Sequence, residues 1–458
     1  MDEIDNGDIL NDPSPDVLAS LRERLRQEGV TILRLSYSDL HGTARGKEFP
    51  LDLLESVVEE GASFCIANLT DGLASNPTNA PGQAPDRGYP DMQARPLLSS
   101  LARLPWDPEV AWFLADVEDN QGPVAHAPRN LLQRVMTRYN EHSWQAIIGP
   151  ELEFFLLRPT TDGRLERYSD RHSMVYTTGK RSDPLGVVRE MLKAAHTLGL
   201  KASAVNHEFA RGQYELNLLH SPALDAADRT FRLKALVKEM AEQAGLLATF
   251  MGRPFNDDGG SGFHLHISLN DARGCNLFAD TASADGLSLL ARHFLAGILE
   301  HAAALMAFLA PTINAYKRLL PDSLVPTAAN WAFDNRTSFV RVPAERGRAT
   351  RLEVRAADAS ANPYLAIAAL LLAGLDGIER SLEPPDAAAG DVSVGAPVGK
   401  LLPRNLEASL QALRADQDLC TAIGEPLIRA FCAMKEAEIE RFRTAVTDWE
   451  LSEYAWHL

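Results

Sequence analysis

The sequence is poor in cysteine, and the few cysteines it has are widely spaced. Cys65, Cys275, Cys420 and Cys432 include no C-x-x-C pair, so no disulfide framework is predicted. A chain of 458 residues has enough material for a large hydrophobic core without covalent cross-links. We therefore expect free thiols in a reducing compartment.

Long apolar runs and targeting signals are also missing. The longest apolar stretch, from Tyr364 to Leu375, is too short to span a bilayer and predicts a buried helix instead. The N-terminus, MDEIDNGDILNDPSPD, is acidic and polar, which is unlike a signal or transit peptide. We expect a cytoplasmic protein that does not bind membranes.

Positive charge is in short supply as well. Acidic residues outnumber basic ones, 62 to 45, and the net charge of −17 argues against binding to nucleic acids or anionic membranes. It does not exclude an anionic substrate, because a site can gather arginines locally. Hydrophobic residues make up 45% and charged residues 23%, which is typical of a globular protein.

The order of helical and strand-like segments predicts an α+β protein. Residues 1–15 are predicted to be a flexible tail, residues 16–125 a small α+β unit, and residues 126–458 a larger α+β domain. The first unit contains a long loop from Asp71 to Pro90, rich in glycine, proline and asparagine, which is typical of a functional loop. The larger domain has helices predicted at 129–141, 184–198, 225–245 and 285–309, and strands in QAIIGPELEFFLL, ATFMGRPF, SGFHLHISLN, TSFVRVPAE and ATRLEVRAAD.

The informative feature is a set of strands that carry charged residues two apart. Side chains at i and i+2 on a strand share one face. The pattern occurs, with apolar flanks, in GPELEFFL (Glu151, Glu153), SGFHLHISL (His264, His266) and TRLEVR (Arg351, Glu353, Arg355), and Glu208 and Glu215 lie on either side of a Gly-Gln turn.

Carboxylates that share the face of a buried strand repel each other and lose hydration, so they need a compensating charge. A divalent cation held by oxygen ligands and one or two imidazoles would supply it. Arginine forks suit phosphate and carboxylate oxygens, so the combination indicates metal–nucleotide phosphoryl chemistry. Each motif alone also fits a simpler structure: a solvated strand face, a pair of packed histidines, or a cross-strand ion-pair ladder.

The ordered motifs resemble those of the glutamine synthetase family from about residue 30 to the C-terminus. They include SDLHGTARGK, GPELEFFL, NHEFARGQYEL, GSGFHLHISL, NAYKRLLP, NRTSFVRVP, RLEVRAAD and NPYLAIAALLLAG. The resemblance implies a β-grasp-like N-terminal domain and a catalytic domain with a curved antiparallel sheet and flanking helices. It also implies rings, commonly a homododecamer, with each active site between neighbouring subunits.

The resemblance assigns roles residue by residue. Two or three Mg²⁺ or Mn²⁺ ions are expected at each site, one bound by Glu153, Glu208 and Glu215 and a second by Glu151, His264 and Glu353. Arg318 and Arg355, with Gly260 and Leu324, match substrate-binding positions. Arg336, Arg341 and Arg351 match phosphate-binding arginines, His266 and Ser268 match nucleotide contacts, and Asp71 matches the carboxylate that a neighbour contributes to the amine site.

The reaction implied is an ATP-dependent ligation in two steps. The γ-carboxylate of L-glutamate attacks the γ-phosphate of ATP, and an amine then displaces phosphate from the resulting acyl phosphate. Metal ions and arginines would stabilise the transferred phosphoryl group, and the packed site would exclude water.

Departures from the family pattern bear on the amine. The flap glutamate that helps bind ammonium is replaced by Leu324, the serine three residues after Asp71 by Ala74, and the asparagine before G-S-G-x-H by Gly259. Fewer acceptors for ammonium and more apolar surface favour a short primary monoamine, as in γ-glutamylamine synthetases. Asp322 is the alternative flap carboxylate.

Three alternatives remain. A polyamine acceptor would need an acid or an aromatic residue for its distal ammonium, and Asp86 and Tyr89 lie in the long loop. The second alternative is an ordinary glutamine synthetase, which uses ammonia. A non-catalytic assembly protein of the same fold would have lost metal ligands, whereas every expected ligand is present.

Overall fold

The computed structural model describes residues 14–172, 174–320 and 325–458. Most of the predicted tail, residues 1–13, lies outside these ranges, as do Asp322 and Leu324. The α+β class is confirmed. The helices are α1 Pro15–Gln27, α2 Leu54–Glu60, α3 Pro128–Glu141, α4 Val187–Thr197, α5 Ala223–Gln243, α6 Leu289–Glu300, α7 Ala302–Leu309, α8 Pro363–Glu379, α9 Leu406–Ala415, α10 Gln417–Ile423, α11 Glu425–Thr444 and α12 Asp448–Tyr454.

The strands form two larger sheets and one short pair. They are β1 Ile32–Ser38, β2 Ala44–Pro50, β3 Ala62–Cys65, β4 Asp91–Leu104, β5 Asp107–Asp119, β6 Gly122–Pro123, β7 Gln145–Pro159, β8 Leu165–Arg167, β9 Ala202–His207, β10 Gln213–Leu218, β11 Ser221–Pro222, β12 Leu247–Thr249, β13 Phe263–Asn270, β14 Ala328–Ala329, β15 Trp331–Phe333, β16 Val340–Val342, β17 Leu352–Val354 and β18 Lys400–Leu401.

The N-terminal sheet has the strand order β2-β1-β5-β4-β3, with β6 beside β5. Strands β1 and β5 run parallel, and the other neighbours run antiparallel. Alternate residues of β5 belong to two different hydrophobic cores. Ala111 and Phe113 pack in the core with helices α1 and α2, and Trp112 and Leu114 pack in the core of the larger unit. The N-terminal unit is thus packed on the rest of the chain through its sheet.

The large sheet has the order β15-β16-β17-β13-β7-β10-β9. Its neighbours are antiparallel except β15 and β16. Strand β7 lies at its centre and also pairs with β8, β11 and β12, so five strands hydrogen-bond to it. Its alternation predicts one buried apolar face, and Leu152, Phe154 and Leu156 do face the core.

The apolar segment of the sequence forms α8, which is buried on nearly all sides. Asn362 caps it: its Oδ1 accepts from the backbone N–H of Tyr364 at 3.0 Å. Its Nδ2 donates to the carbonyl of Asp39 at 2.8 Å and so ties the helix to the N-terminal unit. Within the described ranges no single helix could cross a bilayer; only α6 and α7, taken together as a bent pair, have the length and composition.

Four predicted elements differ from the structure, one of them the strand predicted in ATRLEVRAAD, which is limited to β17. The helix predicted over 285–309 is two helices that meet at 75° at His301, whose ring contacts Asp376 and Asp416. The strand predicted in TSFVRVPAE is limited to β16, because Pro343 has no N–H with which to continue the ladder. The strand predicted in ATFMGRPF is limited to β12 before the chain turns at Gly252.

Candidate active site

The candidate site lies on one face of the large sheet, where charged side chains from neighbouring strands meet. Directly paired residues on adjacent strands share a face. The pairs that carry the site are Glu151 with His264, Glu153 with Glu215, Glu353 with His266, and Glu353 with Arg341. The face opposite belongs to the hydrophobic core, so the sheet itself fixes the positions of these groups.

Two groups of three side chains are close enough to share a metal ion. One ligand atom from each of Glu151, His264 and Glu353 lies within 4.8 Å of the others, and the same holds for Glu153, Glu215 and His264. The first group is the set predicted for one ion. The second contains two of the three residues predicted for the other ion, with His264 as its third member.

Glu208 lies just after β9, near the second group but outside it. Its backbone N–H donates to the carbonyl of Gln213 at 2.9 Å, and its carboxylate accepts from Asn206 Nδ2 at 2.6 Å. The carboxylate interacts electrostatically with Glu153 and more weakly with Glu151. It therefore adds negative charge to the cluster that the two groups form.

The charge of this cluster is visible in its pKa values. Burial raises the pKa of Glu215 to about 9, and repulsion by Glu151, Glu153 and Glu208 contributes to the shift. Burial, and then repulsion by Glu153, raises the pKa of Glu208 to about 7. Among the described residues no lysine or arginine forms an ion pair with the carboxylates of Glu153, Glu208 or Glu215. A divalent cation would supply the missing charge, so these donors fit Mg²⁺ or Mn²⁺.

Glu151 is held in its ionised form by two histidines. Its Oε1 lies 3.0 Å from His266 Nε2, and its Oε2 lies 3.4 Å from His264 Nδ1. Although burial opposes it, these contacts lower the pKa of Glu151 below its usual range. The Nδ1 of His266 accepts from Arg351 Nε at 3.1 Å, so its Nε2 carries the proton directed at Glu151.

Glu353 is buried between two arginines. It accepts from Arg341 Nη1 at 2.7 Å and from Arg355 Nη1. Burial alone would raise its pKa, but the Arg355 cation and then the nearby histidines and Arg341 lower the pKa of Glu353 to about 2. Arg355 is fixed further because its Nε donates to the carbonyl of Arg336 at 2.8 Å, whereas the Arg336 residue is exposed. A carboxylate that is ionised at any physiological pH is available as a ligand.

A cavity of about 500 Å³ opens beside the acidic cluster. Glu151 and Glu215 line it together with His266, Ser268 and Arg351. Three of the residues predicted to contact the nucleotide, His266, Ser268 and Arg351, thus share one cavity with two of the predicted metal ligands. The predicted phosphate-binding residues Arg341 and Arg336 line a different cavity. A guanidinium and a hydroxyl in such a place suit the oxygens of a phosphate chain.

Two glycines pack against Arg318, which is buried and donates to the carbonyls of Ala356 and Arg355. A Cβ on Gly260 would lie 3.0 Å from Arg318 Cγ and 2.2 Å from the carbonyl oxygen of Gly252. A Cβ on Gly262 would lie 2.8 Å from Arg318 Nη2. Glycine is required at both positions because the arginine and the acidic cluster approach the backbone closely.

Sequence reasoning missed several residues that hold the site together. Gln213 donates from Nε2 to Glu153 at 2.7 Å and to the carbonyl of Gly260 at 3.1 Å, and the N–H of Gly262 donates to Glu153 at 2.8 Å. Arg348 lines the cavity beside Arg351. The position of Gln213 two residues before Glu215 on one strand face is the signal that could have identified it.

The predicted acceptor residues lie elsewhere or outside the described ranges. Asp71 belongs to the N-terminal unit, where it accepts from Asn68 Nδ2 at 3.1 Å and Gln83 Nε2 at 3.3 Å. It is in neither ligand group and does not line the 500 Å³ cavity. Ala74 is exposed on the same loop. Leu324 and Asp322 are in the segment that the structure does not describe.

Comparison with known proteins matches this geometry to one family. Residues 125–454 match the model of the glutamine synthetase catalytic domain. A glutamine synthetase of Halobacterium salinarum is 33% identical over 98% of this chain and 99% of its own length. A glutamine synthetase of Methanococcus voltae is 34% identical over 94% of this chain and 98% of its own length.

Solved structures agree with the fold. Ligand-free GmaS superposes with a TM-score of 0.84 at 33% identity, over 97% of this chain and all of its own. A GmaS complex with ADP gives a TM-score of 0.83 at 34% identity, over 95% of this chain and 99% of its own. A glutamine synthase homologue gives 0.80 at 27% identity, over 93% and 98%.

Proposed function

The chain belongs to the glutamine synthetase family and is an ATP-dependent ligase, and on that premise we propose that it joins the γ-carboxylate of L-glutamate to a short primary amine. The main support for the ligase reaction is the pair of carboxylate–histidine groups on one sheet face. They lie beside a cavity lined by His266, Ser268 and Arg351, which match nucleotide-binding positions. The observation that carries the choice of amine is Leu324 in place of the flap glutamate.

We assign the metal ligands from the geometry. Glu151, Glu353 and His264 would hold one Mg²⁺ or Mn²⁺ ion, and Glu153 and Glu215, with Glu208 beside them, would hold another. When bound, the ions neutralise the phosphate oxygens of ATP and the charge that develops during phosphoryl transfer.

The arginines divide between the two substrates. Arg318 and Arg355 are buried next to the acidic cluster and bind the carboxylates of glutamate. Arg341 and Arg336, which line one shallow cavity, stabilise the phosphoryl group in transfer. The γ-carboxylate then attacks the γ-phosphate of ATP to give an acyl phosphate and ADP, and the amine displaces phosphate in the second step.

The amine site is assembled from two subunits. Asp71 is in neither ligand group and does not line the 500 Å³ cavity, so we assign it to the site of a neighbour in a ring, most simply a homododecamer. There it accepts a hydrogen bond from the amine and takes up a proton. Ammonium needs several acceptors to replace its water shell, whereas an alkylamine gains about 0.8 kcal/mol for each CH₂ that it buries against leucine and alanine.

The relatives favour different acceptors. The GmaS structures are those of a γ-glutamylmethylamide synthetase, which supports an amine carrying carbon. The curated relatives are named glutamine synthetases, which supports ammonia as the second candidate.

The test is phosphate release with ATP, glutamate and Mg²⁺ over a panel of methylamine, ethylamine, longer monoamines, putrescine and ammonia. We expect kcat/KM for at least one short monoamine to exceed that for ammonia more than tenfold. Equal or faster turnover of ammonia would show that the chain is an ordinary glutamine synthetase, and a preference for putrescine would show a polyamine ligase.

A single substitution tests the role of the flap. Leu324→Glu should raise kcat/KM for ammonia and lower it for the preferred alkylamine, because it restores an acceptor and removes apolar surface. Leu289→Glu places the same charge on an exposed leucine at the start of α6 and should change neither value. If both variants behave alike, Leu324 does not select the amine.

A further inference from the structure

A second and larger cavity, of about 700 Å³, lies between the N-terminal unit and the larger unit. Its lining shares no residue with the cavity beside the acidic cluster. It includes Gly42 and Leu73 from the N-terminal unit, and side chains from α5, the segment after β12 and α11. The proposed ligation uses none of its lining side chains.

This cavity is cationic, although the chain carries a net charge of −17. Its lining contains four cations, Lys234, Lys238, Lys317 and Arg441, and one carboxylate, Glu438. A concave surface with an excess of one charge attracts ligands of the opposite charge.

The first two cations are one helical turn apart on α5, at i and i+4, where like charges destabilise a helix. Both ammonium groups lie near the ring of Phe250, at 5.4 Å for Lys234 and 5.8 Å for Lys238. Lys234 is buried, and the one hydrogen bond that its Nζ makes among the described residues is to the carbonyl of Ala361 at 2.6 Å. Burial, and then the neighbouring Lys238, lowers the pKa of Lys234 to about 7, although Asp358 opposes the shift.

The other two cations are Lys317 and Arg441. Lys317 Nζ lies 5.9 Å from the ring of Phe442, which directly follows Arg441 on α11. Within the described part of the chain, neither side chain forms an ion pair. Glu438 cannot neutralise them, because its carboxylate already accepts from Lys435 Nζ at 3.1 Å and from the backbone N–H of Ile313 at 3.3 Å.

The rest of the lining combines apolar side chains with hydroxyl and amide groups. Phe250, Met251 and Ile313 line the cavity together with Ala248 and Leu73. A ligand there would bury an apolar part against these side chains and would need anionic groups for the four cations.

We propose that this cavity binds a small organic dianion, an α,ω-dicarboxylate whose two carboxylates are separated by an apolar segment. One carboxylate is bound by Lys234 and Lys238, and the other by Lys317 and Arg441. Binding of the anion relieves the repulsion between the two lysines of α5.

The experiment is calorimetric titration of the full chain with Mg²⁺ present, using the unbranched dicarboxylates from glutarate to sebacate. The titration is repeated with Arg355→Ala, which disables the proposed glutamate site, because glutamate is itself an α,ω-dicarboxylate and would compete at both sites. We expect one dicarboxylate to bind at least tenfold more tightly than the monocarboxylate of equal carbon number. No binding, or equal binding of the monocarboxylate, would overturn the proposal.

Two variants place the ligand in this cavity. Lys238→Met and Arg441→Met each remove an exposed cation at one end and should weaken binding at least threefold while leaving the melting temperature of the ligand-free protein unchanged. Lys193→Met removes an exposed lysine that pairs with Glu190 on α4 and should leave binding unchanged. Wild-type affinity in both test variants, or loss of binding in Arg355→Ala, would assign the ligand to another site.

Discussion

The most direct test of the site's geometry is to add one methyl group at Gly262, the residue before β13, by substituting alanine. A Cβ there would lie 2.8 Å from Arg318 Nη2, 2.9 Å from His264 Nε2 and 3.1 Å from Glu153 Oε1. Gly262 has no positive φ, so alanine fits its backbone without strain. Gly262→Ala therefore displaces Arg318 and, through His264 and Glu153, both groups of metal-ligating side chains. It has little effect on the backbone itself.

The size of the effect follows from the distances. To reach an ordinary separation of 3.4 Å, the arginine nitrogen must move by about 0.6 Å and the histidine nitrogen by about 0.5 Å. Mg²⁺ requires near-ideal octahedral geometry with ligands at about 2.0–2.1 Å, so such shifts are large for a ligand. Misplacement on the scale of 1 Å costs about 100-fold in rate, and we expect a similar loss in kcat/KM together with a higher Mg²⁺ requirement. Overpacking should destabilise the fold by about 1–3 kcal/mol.

The assay is phosphate release as a function of Mg²⁺ and glutamate concentration, with thermal unfolding of the same samples. Gly259→Ala is the matched control, because its Cβ would meet Ala210 Cβ at 3.6 Å and Gln213 Oε1 at 4.0 Å, which are ordinary contacts. The control should retain wild-type kinetics. If Gly262→Ala stays within threefold of wild type, or if both variants lose activity equally, the close approach of these three groups is not what the reaction depends on.

Three further predictions concern charge and stability. Unfolded carboxylates lose their protons near pH 4.5, whereas in the folded protein Glu208 and Glu215 keep theirs until about pH 7 and 9. The metal-free protein should therefore lose stability relative to Glu215→Gln as the pH rises from 4.5 to 9. Mg²⁺ should raise the melting temperature more at pH 8.5 than at pH 6, because more of the carboxylates are then ionised. Glu353→Gln leaves two buried arginine contacts without their anion and should cost about 3–5 kcal/mol in urea unfolding; a loss under 1 kcal/mol would show that the arginines find other partners. Asn362→Ala should cost more than Asn405→Ala, which removes a helix cap alone at about 1 kcal/mol; equal losses would show that the bond from Asn362 to the N-terminal unit adds nothing.

The acidic face was predictable because it depends on strand periodicity alone. The spacing of Glu151 and Glu153 fixed their common face, and the same holds for His264 and His266. Their meeting required the pairing of β13 with β7, which no local pattern in the sequence specifies. The resemblance to known motifs supplied that pairing indirectly.

Other features lie beyond periodicity. That His264 is a member of both ion groups depends on the cross-strand register, in which a slip of one residue would turn its ring to the opposite face. The turn of 75° at His301 depends on contacts with Asp376 and Asp416, which are distant in sequence. The cations of the second cavity come from α5, from the turn that contains Lys317 and from α11, which are distant in sequence and share no motif.

Strand β7 is the element to which five other strands are hydrogen-bonded, and it carries Glu151 and Glu153 on one side and Leu152 and Phe154 on the other. Its amides can exchange with solvent only when most of the sheet opens, so the ligands and the core share one opening event. A change among the apolar residues of this strand is consequently also a change in metal affinity. Natural variation should therefore spare β7 as a whole, and substrate preference should diverge through the loops around it.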